Sequence, residues 1–211
     1  PQRRSRRMSK VNLPSARRSE IIDLATGLFL QTGFAGTSIS AVASACGITK
    51  ASLYHHFTGK DQLFAACETH GYGAALEEVQ KIARAETDAE TYLRHAIEVL
   101  YHVTVISSVG KMSPLIAEVS HSFPSVAQSF HKDYISPQES LIQSIVDQGV
   151  AEGVFKAYDS RLLMHLLMGP IVTLSLSRQM FGALEDLDRH YPVEELKAGH
   201  ANMLIKSLIK R

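Results

Sequence analysis

The side chains best suited to binding chemistry lie between Thr37 and Leu63. Within this stretch, Lys50, Tyr54 and His55 have the spacing that places them on the exposed side of one short helix, together with Ser52 and His56. All five side chains donate hydrogen bonds to DNA phosphates or base edges when they face a groove. The pattern therefore predicts a nucleic-acid contact surface.

Two short helices joined by a glycine turn are predicted to position these donors. Ala43, Ile48 and Leu53 have the spacing that packs one helix on the other. Gly47 stands where the first helix must stop and the backbone needs a positive φ. Thr49 is a suitable N-cap for the second helix. The arrangement is that of a helix-turn-helix, whose second helix enters the DNA major groove.

The same stretch resembles the TetR family of bacterial transcriptional regulators over about residues 15–66. Beyond these residues the similarity is one of length and helical pattern only. Cys46 and Ala51 depart from the family's usual alanine and glycine, but both are small enough for a tight two-helix contact. The resemblance rests on Ile21, Ala25, Phe29, Gly33-Phe34, Thr37, Val42-Ala43, Gly47-Ile48-Thr49-Lys50, Leu53-Tyr54-His55-His56-Phe57, Lys60-Asp61 and Leu63.

The predicted DNA contacts come from both arguments. Lys50 and Ala51 open the reading helix, whose first residues approach bases in this class of motif. The resemblance implies that Ser40 faces the groove and that Lys60 contacts phosphate at a helix N-terminus. Thr37 is either a phosphate contact or only a helix cap. The full predicted set is Thr37, Ser38, Ser40, Thr49, Lys50, Ala51, Ser52, Tyr54, His55, His56 and Lys60.

The charge distribution agrees with a DNA-binding N-terminal part. Residues 1–60 contain nine Lys or Arg and two acidic residues, whereas the rest of the chain contains 13 basic and 19 acidic residues. A basic module on an acidic body is typical of a DNA reader with a separate second domain. The basic residues 1–13 are expected to form a disordered arm, which either reaches the minor groove or adds only non-specific affinity.

The remaining pattern predicts an all-α chain of about nine helices. An N-terminal three-helix domain over residues 14–66 is followed by a ligand-binding and dimerisation domain over residues 67–211. The first helix is expected to end at Gly33, and the second to be capped by Ser38 or Thr37. A long fourth helix, from near Lys60 to about residue 85, is expected to join the two domains. A seventh helix, starting after Pro124, is expected to bend near Pro137.

The last two helices are predicted to pair two chains. One DNA-reading module buries too little surface for specific binding, and two modules held about 34 Å apart solve this problem. Apolar stripes in residues 162–174 and 196–208 can form a four-helix interface about a two-fold axis. Alternatively, both helices only close the core of one chain. The expected interface residues are Leu163, Leu167, Ile171, Leu174, Met203, Leu204 and Leu208.

The segment between about residues 71 and 180 is expected to hold an effector site. It mixes bulky apolar residues with scattered polar ones, which suits a lipophilic or aromatic ligand. Each of these residues serves equally well as ordinary core. No convincing acidic cluster favours a cationic ligand. The candidates are Tyr72, His102, Ile106, Met112, Val119, Phe123, Phe130, Tyr134, Met164 and Met168.

Other classes of protein find little support. No phosphate-binding loop, catalytic triad or metal motif is visible, so no enzyme activity, cofactor or metal is expected. His55 and His56 point about 100° apart on a helix and cannot share a metal ion in the usual way. Cys46 and Cys67 are expected to be buried and unpaired. No secretory leader is visible, and the apolar stretch 162–176 is shorter than a bilayer requires, so a cytoplasmic location is expected.

These observations predict a homodimeric, ligand-responsive transcriptional regulator, and more specifically a repressor. It would bind a palindromic operator in double-stranded DNA and leave it when a small effector binds. Two alternatives remain: a ligand-independent adaptor of the same fold that engages a protein partner, and a transcriptional activator.

Overall fold

A computed structural model describes residues 16–83 and 88–210, and over these residues the chain is helical, as predicted. The predicted N-terminal arm and the first residues of the first domain lie outside the described residues. The α-helices are α1 (Ala16–Gly36), α2 (Ile39–Ala45), α3 (Lys50–His56), α4 (Lys60–Ala83), α5 (Ala89–Tyr101), α6 (Ser113–Ser122), α7 (Pro124–Phe130), α8 (Ser136–Ala151), α9 (Ser160–Met180), α10 (Leu187–His190) and α11 (Val193–Leu208).

Helix ends follow the local chemistry closely. The side chain of Asp88 accepts a hydrogen bond from the Thr91 amide at 3.0 Å and so caps α5. Asp159 accepts from two amides at the start of α9. Gly33 has a positive φ of 71°, as expected where α1 was predicted to end, but one further helical turn follows as far as Gly36.

The predicted seventh helix is two helices, α7 and α8, joined by a π-helical turn over His131–Ile135. Pro137 was expected to cause a bend, and the irregular turn lies just before it. Proline has no N–H to offer the carbonyl four residues earlier, which belongs to Asp133, and its ring collides with that carbonyl. A second π turn, His102–Ile106, extends α5. The short α10 was not predicted.

Two large apolar clusters divide the interior. One is built from α5, α8, α9 and α11 and contains Tyr101, Phe155 and Leu167. The other fills the three-helix N-terminal part, and it also takes in Met112, Val119 and Val126 from the body of the chain. Because α4 runs unbroken through both parts, the proposed domain boundary at residue 66 falls inside a helix.

One helix raises the question of a membrane span. Over the described residues, α9 has the length and composition to cross a bilayer, so the argument that its apolar part is too short is wrong. Helix α5 with its extension (Ala89–Ile106) and the segment Gly110–Ser122, which includes α6, meet the same criteria only as a pair, and they are bent by 56°. A single apolar helix is weak evidence for a membrane span, because core helices of soluble proteins have the same composition.

Gly149 allows α8 to approach the segment that leads back to α9. Its carbonyl accepts hydrogen bonds from the amides of Val154 and Phe155, both at 2.9 Å. A Cβ at this position would lie 2.1 Å from the Phe155 ring, which is 1% exposed and has no room to move. A glycine is therefore required at position 149, because a side chain there would collide with the Phe155 ring.

We expect Gly149→Ala to lower the free energy of unfolding by about 1–3 kcal/mol, because the new methyl group overpacks the core. Gly73→Ala in α4 is the matched control, since a Cβ there meets nothing within 4 Å. The control should be neutral or stabilising by up to about 1 kcal/mol. Urea titrations followed by circular dichroism measure both, and equal unfolding free energies for the two variants would contradict the assignment.

Candidate functional site

Helices α2 and α3 form the predicted helix-turn-helix. The amide of Ala41 donates to the Ser38 hydroxyl at 3.1 Å, so Ser38 caps α2. Gly47 makes the turn with a φ of 63°. The Ser52 amide then donates to the Thr49 hydroxyl at 3.1 Å, which caps α3 as predicted. The turn is closed by a 3.0 Å hydrogen bond from the amide of Ile48 to the carbonyl of Ala43.

The two sides of α3 differ sharply. Leu53 and the following Phe57 are at most 1% exposed and hold the helix on α1 and α4. Tyr54 is 52% exposed. The exposed or half-buried surface of α2 and α3 carries ten of the predicted DNA contacts, namely Ser38, Ser40, Thr49, Lys50, Ala51, Ser52, Tyr54, His55 and His56, with Lys60 at the edge. Its side chains are rich in hydrogen-bond donors, as a DNA-reading surface requires.

Thr37 does not belong to this surface. Its side chain is buried, with 2% exposed, and its hydroxyl lies 2.7 Å from the Gly33 carbonyl and 2.8 Å from the Thr32 hydroxyl. The hydroxyl is therefore not available to phosphate, and Ser38 rather than Thr37 caps α2. Thr37 is therefore neither a phosphate contact through its side chain nor the cap of α2, so both predictions for it are wrong. Its role is to close the junction between α1 and α2.

Lys60 has a structural role that the sequence did not reveal. Its ammonium group donates to the carbonyls of Phe34 at 2.8 Å and Thr37 at 3.1 Å, and it lies 4.2 Å from the centre of the Phe34 ring. These contacts fix the start of α4 on the end of α1. An ammonium has three N–H groups, so one is left for the predicted phosphate contact.

Two arginines at the start of α1 also support the reading helices. Arg17 donates to the Cys46 carbonyl at 2.7 Å, and so satisfies a carbonyl at the end of α2. The Arg18 guanidinium lies 4.6 Å from the centre of the Phe57 ring. Sequence analysis counted both residues only as charge, because their partners are 29 and 39 residues away along the chain.

The comparison with protein families agrees with this geometry. Residues 21–67 match the profile of the bacterial regulatory proteins of the tetR family. Over these residues the chain is similar to the N-terminal part of TetR-family regulators. The match covers α2, α3 and the parts of α1 and α4 that pack against them, which is the region where the sequence resemblance was specific.

Relatives and solved structures extend the likeness to the body of the chain. The transcriptional repressor KstR2 of Rhodococcus jostii strain RHA1 is 24% identical over 143 residues, 68% of this chain and 70% of that protein. The Bacillus subtilis regulator FadR, solved with stearoyl-CoA, has a TM-score of 0.74 at 17% identity, covering 90% of this chain and 98% of that one. A Saccharomonospora viridis protein solved with choline has a TM-score of 0.73 at 16% identity, covering 92% and 98%. The two structures show that the TetR-type fold continues through the C-terminal helices.

The ten predicted effector residues do not converge on one place in this TetR-family fold. Tyr72, Phe130 and Tyr134 do meet: the ring centres of Tyr72 and Tyr134 are 4.2 Å apart, and Phe130 is 5.3 Å from each. Met164 and Met168 pack on the outside of the α5–α8–α9–α11 cluster, so their role stays a prediction.

His102 and Ile106 lie on the protein surface, with Ile106 48% exposed. Met112 and Val119 are buried in the N-terminal cluster. Phe123 is 40% exposed, and its ring centre lies 5.4 Å from that of Phe34. These five side chains sit on the surface or between the two parts of the chain, because helical spacing does not say which neighbour a face meets.

A buried acidic residue that sequence analysis missed lies beside the aromatic group. Glu68 is 0% exposed, and neither of its carboxylate oxygens has a hydrogen-bond partner among the described residues. Desolvation by burial raises the pKa of Glu68 to about 9. The sequence carried a usable indication, because Phe64, Glu68 and Tyr72 follow one another at intervals of four residues on one side of α4.

Both cysteines are buried and free, as expected. Burial raises the pKa of the Cys67 thiol to about 12, which keeps it protonated and unreactive. Among the described residues, no three His, Cys, Asp or Glu side chains are grouped so that they could hold a metal ion.

The expected dimer residues are mostly on the wrong side of their helices. Leu163, Leu167 and Ile171 are at most 1% exposed, and Leu174, Leu204 and Leu208 are at most 5% exposed, all within the core of one chain. Only Met203, at 75%, is exposed. A different apolar set is exposed on α9, α11 and the residue after α9, comprising Leu162, Leu166, Val172, Leu176, Met180, Phe181, Leu196 and Met203.

We expect Lys60→Ala to weaken binding to every duplex tested and to lower the melting temperature, because Lys60 ties α4 to α1 as well as facing phosphate. Lys50→Ala is the matched control on the exposed side of α3. It should leave the melting temperature unchanged and alter the relative affinities for different duplexes. Fluorescence anisotropy on a duplex panel and thermal denaturation separate the two effects. If Lys50→Ala keeps the sequence preference of the wild type, Lys50 does not contact bases as predicted.

The raised pKa of Glu68 predicts a pH effect on stability. An unfolded chain loses this proton near pH 4.3, whereas the folded protein keeps it up to about pH 9. Between these values, rising pH favours the unfolded state by up to about 1.4 kcal/mol per pH unit. Urea titrations from pH 5 to 8 should show the loss in the wild type and a smaller one in Glu68→Gln. Parallel stability curves for the two proteins would rule out a protonated Glu68.

Proposed function

We propose that the chain acts as a homodimeric repressor that binds a palindromic operator and leaves it when a small effector binds. One observation supports this above all: α3 buries Leu53 and presents Lys50, Tyr54 and His55 to solvent. A helix held this firmly by its inner side, and rich in donors on its outer side, is suited to insertion in a major groove. No catalytic role is proposed.

The proposed dimer uses the exposed apolar set on α9 and α11. Met180 and Met203 are 74% and 75% exposed, and Leu162 is 51% exposed. Exposed apolar residues on two adjacent helices are typical of an interaction surface. His200 holds the two helices together, because its ring nitrogens lie 3.0 Å from the Leu166 carbonyl and 3.0 Å from the Tyr101 hydroxyl. Pairing this surface about a two-fold axis would form a four-helix interface.

The proposed control of DNA binding runs through α4. This helix begins at Lys60, which is fixed on α1, and continues past Glu68 to Tyr72 in the body. An effector that prefers one position of α4 would shift the reading heads between a DNA-competent and an incompetent spacing. Differential affinities worth about 1–3 kcal/mol are sufficient for such coupling. A ligand that binds both states equally would change nothing.

Different observations favour the ligand-responsive repressor and the alternative, a ligand-independent adaptor that engages a protein partner. Four clefts on the described residues have volumes of about 170–250 Å³, each below the roughly 300 Å³ of an ordinary ligand pocket, so none of these four supports a preformed effector site, which an adaptor would also lack. The unpartnered Glu68 favours a ligand, because an unsatisfied buried carboxyl costs stability and a binding function explains why it is kept. KstR2 is a repressor and some neighbours on this fold hold small molecules, which supports the first reading.

We expect a double variant, Leu162→Glu with Met203→Glu, to be monomeric, because four charges would then meet across the two-fold axis. Val150→Glu is the matched control: Val150 is also exposed, at 38%, but lies on α8 outside the proposed interface. Light scattering should give one chain mass for the double variant and two for the control. The double variant should also lose affinity for DNA.

Two results would count against this interface. A double variant that remains dimeric would place the contact elsewhere on the chain. A wild type that is monomeric at micromolar concentration would remove the paired reading heads altogether.

A further inference from the structure

Four residues form one stripe along α4, and three of them meet residues of α7. Asp61, Ala65, Glu68 and Tyr72 are separated by four, three and four residues, which places them on the same side of the helix. The first two line a cleft of about 210 Å³ that opens between α4 and α7. The lining of this cleft is Thr58, Asp61, Gln62, Ala65, Ser125, Val126 and Ser129.

Glu68 lies one turn beyond the cleft, along the same stripe. It follows Ala65, which is 9% exposed, by three residues and is itself 0% exposed. Its two carboxylate oxygens have no hydrogen-bond partner within residues 16–83 and 88–210. Buried polar groups are almost always paired, so a carboxyl in this state needs a specific explanation. A bound group that donates hydrogen bonds or carries positive charge would supply the missing partner.

Aromatic rings continue the stripe past Glu68. Tyr72 stacks on Tyr134 with ring centres 4.2 Å apart, and Phe130 lies 5.3 Å from both. The Tyr72 hydroxyl is within 3.1 Å of the Ser113 hydroxyl, whereas the buried Tyr134 hydroxyl has no partner among the described residues. Faces of aromatic rings attract cations, and several rings around one site are the usual way to hold a quaternary ammonium group.

Two acidic side chains, Asp61 and Glu68, lie along this path. Asp61 lines the cleft, Glu68 lies one helical turn beyond the lining residue Ala65, and the lining contains no Lys, Arg or His. An anionic ligand would meet two carboxyl groups and no cation. A purely apolar ligand would leave Glu68 without a partner. An organic cation satisfies both the carboxyl groups and the rings.

We propose that the effector of this regulator is an organic cation, whose ammonium group binds Glu68 and the faces of Tyr72, Phe130 and Tyr134 after entering between α4 and α7. This inference rests on the proposed ligand-responsive function. The aromatic rings are in contact with one another, so the cation has to separate Tyr72 on α4 from Tyr134. Binding therefore displaces α4 relative to the π turn after α7, which is the movement that the proposed release of DNA requires.

Choline and its neutral isostere 3,3-dimethylbutan-1-ol test the proposal, because they differ only in the charged nitrogen. Isothermal titration calorimetry should show the wild type binding choline at least about tenfold more tightly than the alcohol. Glu68→Gln should lose most of that preference, because a cation beside Glu68 favours release of the carboxyl proton to solvent, whereas the amide keeps the shape and stays neutral. Glu77→Gln, the same change at an exposed position of α4, should keep it.

A second variant keeps the test informative if Glu68→Gln does not fold. Phe130→Leu removes one ring and should reduce the affinity for choline severalfold while changing that for the alcohol less. Benzyltrimethylammonium is the larger probe, in case the site is built for a bulkier cation. The proposal is overturned if neither cation binds the wild type, if the alcohol binds as well as choline, or if a folded Glu68→Gln keeps the preference.

DNA binding is measured separately, so that the two proposals can fail independently. The wild type without ligand should bind duplex DNA, and the better-binding cation should release it. Retained DNA binding without any cation affinity would reject the ligand class and leave the regulator intact. A protein that binds cations but no DNA would instead reject the proposed function.

Discussion

The orientation of the DNA-reading helices depends on the contact between Phe34 and Lys60. The Phe34 ring packs on Phe29 and Phe64 at centre distances of 5.9 and 5.2 Å, and Phe123 from the body approaches it at 5.4 Å. The Lys60 ammonium covers the same ring and binds two carbonyls at the end of α1. Because α1, α4 and the body all meet here, the orientation of the reading helix follows the position of α4.

This constraint explains why one helix carries so many roles. The first turn of α4 holds the DNA-reading part through Lys60, its middle buries Glu68, and Tyr72 enters the aromatic group of the body. A rigid helix cannot change its contacts at one end without changing its position at the other. The unpaired carboxyl of Glu68 lies between these two ends, which is why the proposed effector site is placed there.

Local chemistry made the N-terminal part predictable from sequence. Ser38, Gly47 and Thr49 act through hydrogen bonds and backbone angles of their own neighbours, so the turn, the caps and the exposed side of α3 could be read directly. The prediction of the dimer surface was wrong because it depended on which neighbours each side of a helix meets, and local sequence does not determine that. Both sides of α9 are apolar, and periodicity cannot tell whether Leu166 or Leu167 faces the chain's own core. No role was predicted for Glu68, although its neighbours four residues away on either side, Phe64 and Tyr72, are apolar or aromatic and are buried.

The most direct test of the paired reading heads is selection of bound duplexes from random DNA by the purified protein. The account predicts an enriched sequence with two-fold symmetry, whose half-sites are centred about one helical turn apart or a multiple of it. Mutating either half should weaken binding by a similar factor. Enrichment of a single asymmetric site, or no enrichment at low salt, would contradict a symmetric pair of subunits that each insert α3 into a major groove.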